Sequence, residues 1–407
     1  MSQINPGDTA FVLLCAALVA IMTPGLAFFY GGLVRRKNVI TIMMQSFASL
    51  GVVTLIWVTV GFTLAFGHDV HGVIGGLNYI FLNGVGQTPN PEYGASIPFL
   101  AFFVFQLTVA ALTPALITGA FADRVPFGSY LVFLVFWSLL VYVPLAHWVW
   151  GGGFLQQWGV LDFGGGMVVH GAAGFSALAS IYVVKKRVFA PGEEERPSNI
   201  PLIAIGLGLL WFGWLGDNPA NALKADGVAA QAFVNTFIAG GCAMVVWMFT
   251  DWVRTGKVSM VGSLTGVLAG LVAVTPCAGF VPTWAAVFIA LAAGWICYGA
   301  ILFRKHRAWD DSLDVWGVHG IGGLFGSLMV GWFAYASVNG ARGLMDGNPK
   351  QFGLQAAAVA ITISYTFVAT FAIFKVIDVV GSLRAPAEVQ VSGLDEEFHG
   401  ETAYVLD

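Results

Sequence analysis

Apolar runs of membrane-crossing length recur along the whole chain, divided by short polar punctuation. A helix that crosses a bilayer needs roughly 20 mostly apolar residues. That rule predicts spans near 9–33, 41–66, 98–120, 127–149, 166–185, 200–216, 228–252, 260–275, 283–303, 315–336 and 352–381, eleven in all. The loops are short except an outer one near 67–97, rich in Gly, Asn and Pro around Thr88-Pro89-Asn90-Pro91. No soluble domain fits between the spans. Met1 to Asp8 lacks the positive n-region of a signal peptide, so the first run reads as a retained span.

Charge orients this threading. Arg35-Arg36-Lys37, Arg124, Lys185-Lys186-Arg187, Arg196, Arg254, Lys257, Arg304-Lys305, Arg307 and Arg384 fall on one side, and only Lys224, Arg342 and Lys350 on the other. The positive-inside rule then predicts an outer N-terminus and an inner C-terminus. Residues 1–384 form one membrane domain, and 385–407 an acidic cytoplasmic tail. His68, His71 and His399 fall in loops, and Glu193-Glu194-Glu195 reads as a solvated face.

Composition agrees: 57% of the 407 residues are hydrophobic and 10% charged, far from soluble usage. The formal net charge of −4 and the lack of a basic, aromatic-interleaved patch argue against nucleic acid. Cys15, Cys242, Cys277 and Cys297 lie in or beside apolar spans without ligand spacing, and read as small core residues. An intramembrane enzyme is disfavoured by the absence of HExxH or GxSxG patterns from the spans.

Two copies of Val-His-Gly-x-x-Gly stand out, Val169-His170-Gly171 to Gly174 and Val318-His319-Gly320 to Gly323. An ionisable group in a span costs about 2.5–3.5 kcal/mol or more, which makes it a functional candidate. One such histidine could equally be a helix–helix hydrogen-bonder, with glycines that only permit close packing. The duplication favours a shared site that moves or senses a small polar solute. His170 lies in the fifth predicted span and His319 in the tenth. Five spans per half is odd, so the halves, about 9–185 and 200–336, must be inverted, with 352–381 added at the end. Each half is expected to open with an interrupted helix, at Thr23-Pro24-Gly25 and from Gly213 through Pro219. Asp162 and Asp311 each precede their histidine by eight residues, where a carboxylate caps free N–H groups. Two histidines without a third ligand do not make a metal site, and no cofactor is implied.

These residues resemble the ammonium transporter (Amt/Mep/Rh) family nearly end to end. The resemblance rests on Pro24 through Gly32, Ala146-His147-Trp148-Val149-Trp150-Gly151-Gly152-Gly153, Leu161-Asp162-Phe163-Gly164 through His170, and Asp314-Val315-Trp316-Gly317-Val318-His319-Gly320. The Gly393-Leu394-Asp395, His399-Gly400-Glu401 and Tyr404 tail also resembles the family's. The resemblance implies an all-α homotrimer in the plasma (inner) membrane, one pore per subunit. It implies an outer site where Trp150 recruits ammonium, with Phe105 and Gln106 matching family positions and Asp162 nearby, as ligand or as helix cap. His170 and His319 would form the pore pair. An apolar tube disfavours two charged imidazoles, so one ring nitrogen donates while the other accepts, and ammonia rather than ammonium passes. The family's inner face also docks PII-type nitrogen regulators.

The chain departs from the family pattern in one small region. The two stacked gate phenylalanines correspond to Val109 and Asp217, and a serine at the outer site to Asn221. Asp217 could hold ammonium by charge, or could lie at the end of the sixth span facing bulk water. Tighter holding is not faster passage. The implied function is therefore ammonium transport, with an alternative open: an ammonium receptor on the same scaffold that reports to a cytoplasmic partner or signalling output domain.

Overall fold

The computed structural model describes residues 4–404, and among these nearly all regular structure is helical. Among the described residues, nine helices are long and apolar enough to cross a membrane. They are α1 (Pro6–Leu33), α2 (Arg36–Phe66), α3 (Phe99–Phe121), α4 (Phe127–Trp158), α5 (Gly166–Val184), α6 (Ile200–Ala220), α7 (Gly227–Thr255), α9 (Thr283–His306) and α11 (Pro349–Val380). Two shorter apolar helices lie among them, α8 (Met260–Val274) and α10 (Ile321–Phe333), the latter entered through a π turn at Trp316–Gly320. Each predicted span coincides with one of these, the ends moving by a few residues, most at α2 and the far end of α4.

Helix starts are written in the sequence. Asn5 accepts from the Gly7 and Asp8 amides, Asn199 from Leu202, Asp226 from Val228 and Ala229, and Ser259 from Gly262. Each satisfies donors that a first turn leaves free. The outer loop is more ordered than a Gly- and Pro-rich stretch suggests. A short antiparallel hairpin, β1 (Asp69–Val70) on β2 (Ile74–Gly75), folds over the outer end of α4.

The expected interruptions take a different form. α1 carries only a single-residue turn at Ile21, still right-handed helical at φ −71° and ψ −17°. α6 runs unbroken through Gly213 to Ala220, with Pro219 in its last turn, where little of the ladder remains to be broken. The glycines serve packing instead: α6 lies along α1, and a Cβ on Gly206 would strike the Phe29 backbone. Among the described residues the helices carry four π turns, Trp57–Gly61, Ser138–Tyr142, Gly166–Gly171 and Trp316–Gly320. Such turns concentrate at functional positions, and two of the four carry the histidines.

At the end where they gather, the basic residues do more than anchor topology. Arg124 is fully buried and Arg35 nearly so. Arg35 bonds Asp123 at 2.9 Å, and Arg187 grips Asp310 through Nε and Nη2, with Arg124 3.4 Å from the same carboxylate. Glu193, expected to be solvated, instead pairs with Lys37 at 2.7 Å and Arg35 at 3.3 Å. The tail forms two short helices, α12 (Ala387–Ser392) and α13 (Leu394–His399). The Asp395 carboxylate there accepts from the Ile40 and Thr41 amides, and His399 lies edge-on to Phe127 rather than in a loop.

Candidate functional site

The two histidine motifs cross each other. The π turn holding His170 packs on α10, and the π turn holding His319 packs on α5. Glycine makes the crossing feasible. A Cβ on Gly174 would collide with the Gly320 backbone, and one on Gly323 would stand 2.6 Å from the His170 Cβ. Each copy of the motif thus supplies the small residue that the other copy's histidine turn requires.

The crossing places His170 Nδ1 3.2 Å from His319 Nδ1, with ring centroids 5.3 Å apart. Both rings are buried, at 3% and 1% exposure. With Nδ1 facing Nδ1, one nitrogen must donate and the other accept, so the rings carry complementary tautomers. The pair therefore presents one Nε2–H donor and one Nε2 lone pair to whatever lies beside it. His319 Nε2 has no partner among the described residues, and His319 borders a cavity of about 140 Å³ also lined by Tyr30, Leu268 and Val318. On α6 the Trp214 indole stacks on His170 at 5.3 Å and is pinned by a 2.9 Å hydrogen bond from its Nε1 to Thr275.

A vestibule of about 270 Å³ is lined by Phe102, Gln106, Trp150, Asp162 and Asn221, with Phe66 and Tyr93 among its remaining walls. The Asp162 carboxylate accepts from four successive amides, Gly165, Gly166, Met167 and Val168, at 3.0, 2.6, 2.8 and 3.3 Å. Both oxygens are thereby committed to the turn that carries His170. The Asp162 carbonyl in turn accepts from Trp150 Nε1 at 2.8 Å, fixing the indole over the vestibule. Asp311 performs half of this task in the other motif, accepting from Val315 and Trp316 at 3.1 and 2.7 Å.

Gln106 Oε1 is buried and accepts no hydrogen bond from the described residues. Asn221 spends its amide N–H on the Asp217 carbonyl at 2.9 Å. Farther out a second cavity of about 350 Å³ shares Trp150, Tyr93 and Glu92 with the vestibule and adds Asp69. Burial works against the Asp69 carboxylate, but bonds from His147 and Gly72 prevail and hold it below the usual carboxylate range.

Phe105 does not join this site. It is 0% exposed and faces the protein interior, while Phe102, three residues earlier, lines the vestibule with Gln106. Sequence reasoning missed Phe102 and Trp214. The signal for Phe102 was its helical spacing from Gln106, obscured because α3 is apolar on all sides. Val109 and Asp217 are buried, at 6% and 7% exposure, and neither lines the vestibule. Asp217 therefore does not face bulk water. Among the described residues its carboxylate has no hydrogen bond or ion pair, and no group of three or more candidate metal ligands occurs.

The sequence matches the Ammonium Transporter Family model over residues 10–404. It is 45% identical over 401 residues to an ammonium transporter of Bacillus subtilis, covering 98% of each chain. Among solved structures it is similar to Mep2 of Candida albicans, with 34% identity, a TM-score of 0.87, and coverage of 93% of this chain and 85% of that one. It is also similar to a structure described as a sensor Amt protein, with 28% identity, a TM-score of 0.89, and coverage of 97% and 98%.

Proposed function

The chain belongs to the ammonium transporter family, and we propose that it recruits ammonium in the vestibule under Trp150 and passes ammonia along His170 and His319 to the inner cavity. The reading is supported by one observation: the buried Nδ1–Nδ1 contact at 3.2 Å borders a cavity at His319, while Asp162, which lines the vestibule, caps the turn that carries His170. Ammonium is a small cation with four N–H donors. The vestibule offers it an indole face, worth about 2 kcal/mol or more when desolvated, and the free acceptor Gln106 Oε1. Asn221 lines the same wall. Asp162 acts here as a positioning residue, because its oxygens are spent on the helix start.

Beyond the vestibule the intact cation would lose most of its hydration, a cost that a buried pair of neutral imidazoles does not offset. Ammonia loses far less. Its lone pair can accept from the one Nε2–H, and its N–H groups can donate to the other ring's lone pair, so it moves between hydrogen bonds of similar strength. Weak, repeated contacts of this kind allow release as well as entry.

The larger frame belongs to the same proposal. Eleven crossings form two inverted halves around the crossed motifs, with the N-terminus outside, 1–384 as the membrane domain and 385–407 as an inner tail. Three copies assemble in the plasma membrane, and the inner face docks a PII-type regulator.

A receptor reading stands beside it, favoured by Val109 and Asp217 where family transporters carry an aromatic gate and by the likeness to a sensor Amt protein. In that reading ammonium is held and a cytoplasmic partner or output domain is informed, with little passage. The test is His170→Ala in proteoliposomes, reading ammonium-driven current and ammonium-induced thermal stabilisation together. Transport lost with stabilisation kept supports the relay. A variant that conducts like the parent removes His170 from the path.

A further inference from the structure

Two helix faces lead inward from the vestibule, which both helices line. On α6, Trp214 stacks on His170 and Asn221 lines the vestibule, and Asp217 lies three residues after the first and four before the second. That spacing keeps all three on one helix face. At 1.5 Å rise per residue, Asp217 stands about 4.5 Å outward of Trp214 and about 6 Å inward of Asn221. On α3 the matching positions are Gln106 in the vestibule, Val109 three residues on, and Thr113, whose hydroxyl is spent on the Val109 carbonyl at 2.8 Å.

Asp217 is an anomaly on this path. It is 93% buried by its 7% exposure, and among the described residues nothing donates to its carboxylate. Buried carboxylates are ordinarily paired, because an isolated one costs several kcal/mol. The titratable groups near it are Cys15 on α1 and Tyr142 in the π turn of α4, with His170 a turn farther in, and among the described residues no lysine or arginine pairs with it. The Tyr142 hydroxyl is likewise buried without a hydrogen-bond partner among the described residues. Val109, one turn inward of Gln106 on α3, has no polar side-chain group and so supplies no competing donor.

We propose that Asp217 is the group that takes the proton from ammonium on its way to His170. One N–H bond of the ammonium breaks, its electron pair stays on nitrogen, and the proton forms an O–H bond with a carboxylate oxygen. The products are ammonia and a neutral carboxylic acid. Two opposite charges become two neutral groups, which a low-dielectric passage holds at much smaller cost. Ammonia continues to the histidine pair, and the acid then passes its proton inward through the same pair, so that one positive charge crosses with each ammonia and the carboxylate is restored for the next cation. The inference rests on the vestibule reading above and specifies the step that it left without an acceptor.

Infrared difference spectroscopy on the reconstituted protein reads this step directly. Adding ammonium chloride should produce the carbonyl stretch of a protonated carboxyl, shifted in heavy water, absent with sodium chloride and absent in Asp217→Asn. The same band in Asp217→Asn, or no band at saturating ammonium, overturns the proposal. Asp217→Asn should also slow transport by about a hundredfold, the scale of one acid–base group, while ammonium still stabilises the protein through the vestibule. Asp217→Glu should recover part of the rate; an Asp217→Asn rate equal to the parent's sinks the idea. If the parent shows the band but no current, the acceptor stands and conduction fails. A current without the band means the reverse.

Discussion

Replacing Asp162 separates a helix cap from a cation ligand. Its carboxylate accepts from four buried amides, two on each oxygen. An asparagine retains one acceptor oxygen and turns an NH2 toward the other two donors, stranding them. A buried donor left unpaired costs about 1–3 kcal/mol, so Asp162→Asn should lose about 2–6 kcal/mol. Alanine strands all four, for about 4–12 kcal/mol before water or relaxation recovers part. Whole proteins are stable by only about 5–15 kcal/mol, so Asp162→Ala should accumulate poorly. The assay is thermal unfolding in detergent with and without ammonium. The expected order is parent, then Asn, then Ala, with the stabilisation by ammonium preserved in the asparagine variant because the main-chain carbonyl still holds Trp150. An alanine variant as stable as the parent but deaf to ammonium would refute the cap argument and make the carboxylate a ligand.

Other consequences are as direct. Trp150→Leu removes the indole face and should weaken ammonium binding by about 10- to 30-fold, from the roughly 2 kcal/mol of a desolvated cation–π contact, measured by titrating the thermal shift; an unchanged affinity would relegate Trp150 to an interfacial anchor. Gly174→Val drives a side chain into the Gly320 backbone and should part the histidine turns, costing about 1–3 kcal/mol and abolishing transport in folded protein; normal flux would show that the crossing tolerates widening. Asp310→Asn leaves buried Arg124 and Arg187 without their shared carboxylate and should cost about 3–5 kcal/mol, with stability after purification as the readout. Burial pushes the Asp310 carboxyl up, but the two guanidinium groups outweigh it and hold it below its usual range. Its contribution is therefore complete above the ordinary carboxylate pKa of about 4 and is lost as pH falls toward the lower folded value. Parent and Asp310→Asn melting curves should converge in acid and diverge at neutral pH; parallel curves would contradict the assignment.

What could be read in advance, and what could not, follows from the solvent each segment meets. Spans are legible because a bilayer accepts only long apolar helices, whose composition carries their length. Asp162 and Asp311 were legible as caps because their spacing from the glycines that follow is local. The facing of the histidines came from a duplication, which is also visible in one dimension. Rotation about a helix axis is not. α3 is apolar on every side, so nothing in its pattern says that Phe102, rather than Phe105, turns to the vestibule. The inner charge cluster was hidden for the opposite reason. Arg35, Arg124 and Asp310 come from three separate connections and Arg187 and Glu193 from a fourth, and pairing across 88 or 123 residues leaves no local signature. The π turns escaped notice because a single extra residue per turn barely disturbs a 3.6-residue pattern.

The central claim is that ammonia passes through the histidine pair, and the electrical response to an ammonium step in proteoliposomes tests it most directly. The account expects a current whose decay shortens as protein density rises, abolished in His170→Ala and His319→Ala. A small transient, independent of density and unchanged in both variants, would contradict it and leave a protein that binds ammonium without moving it.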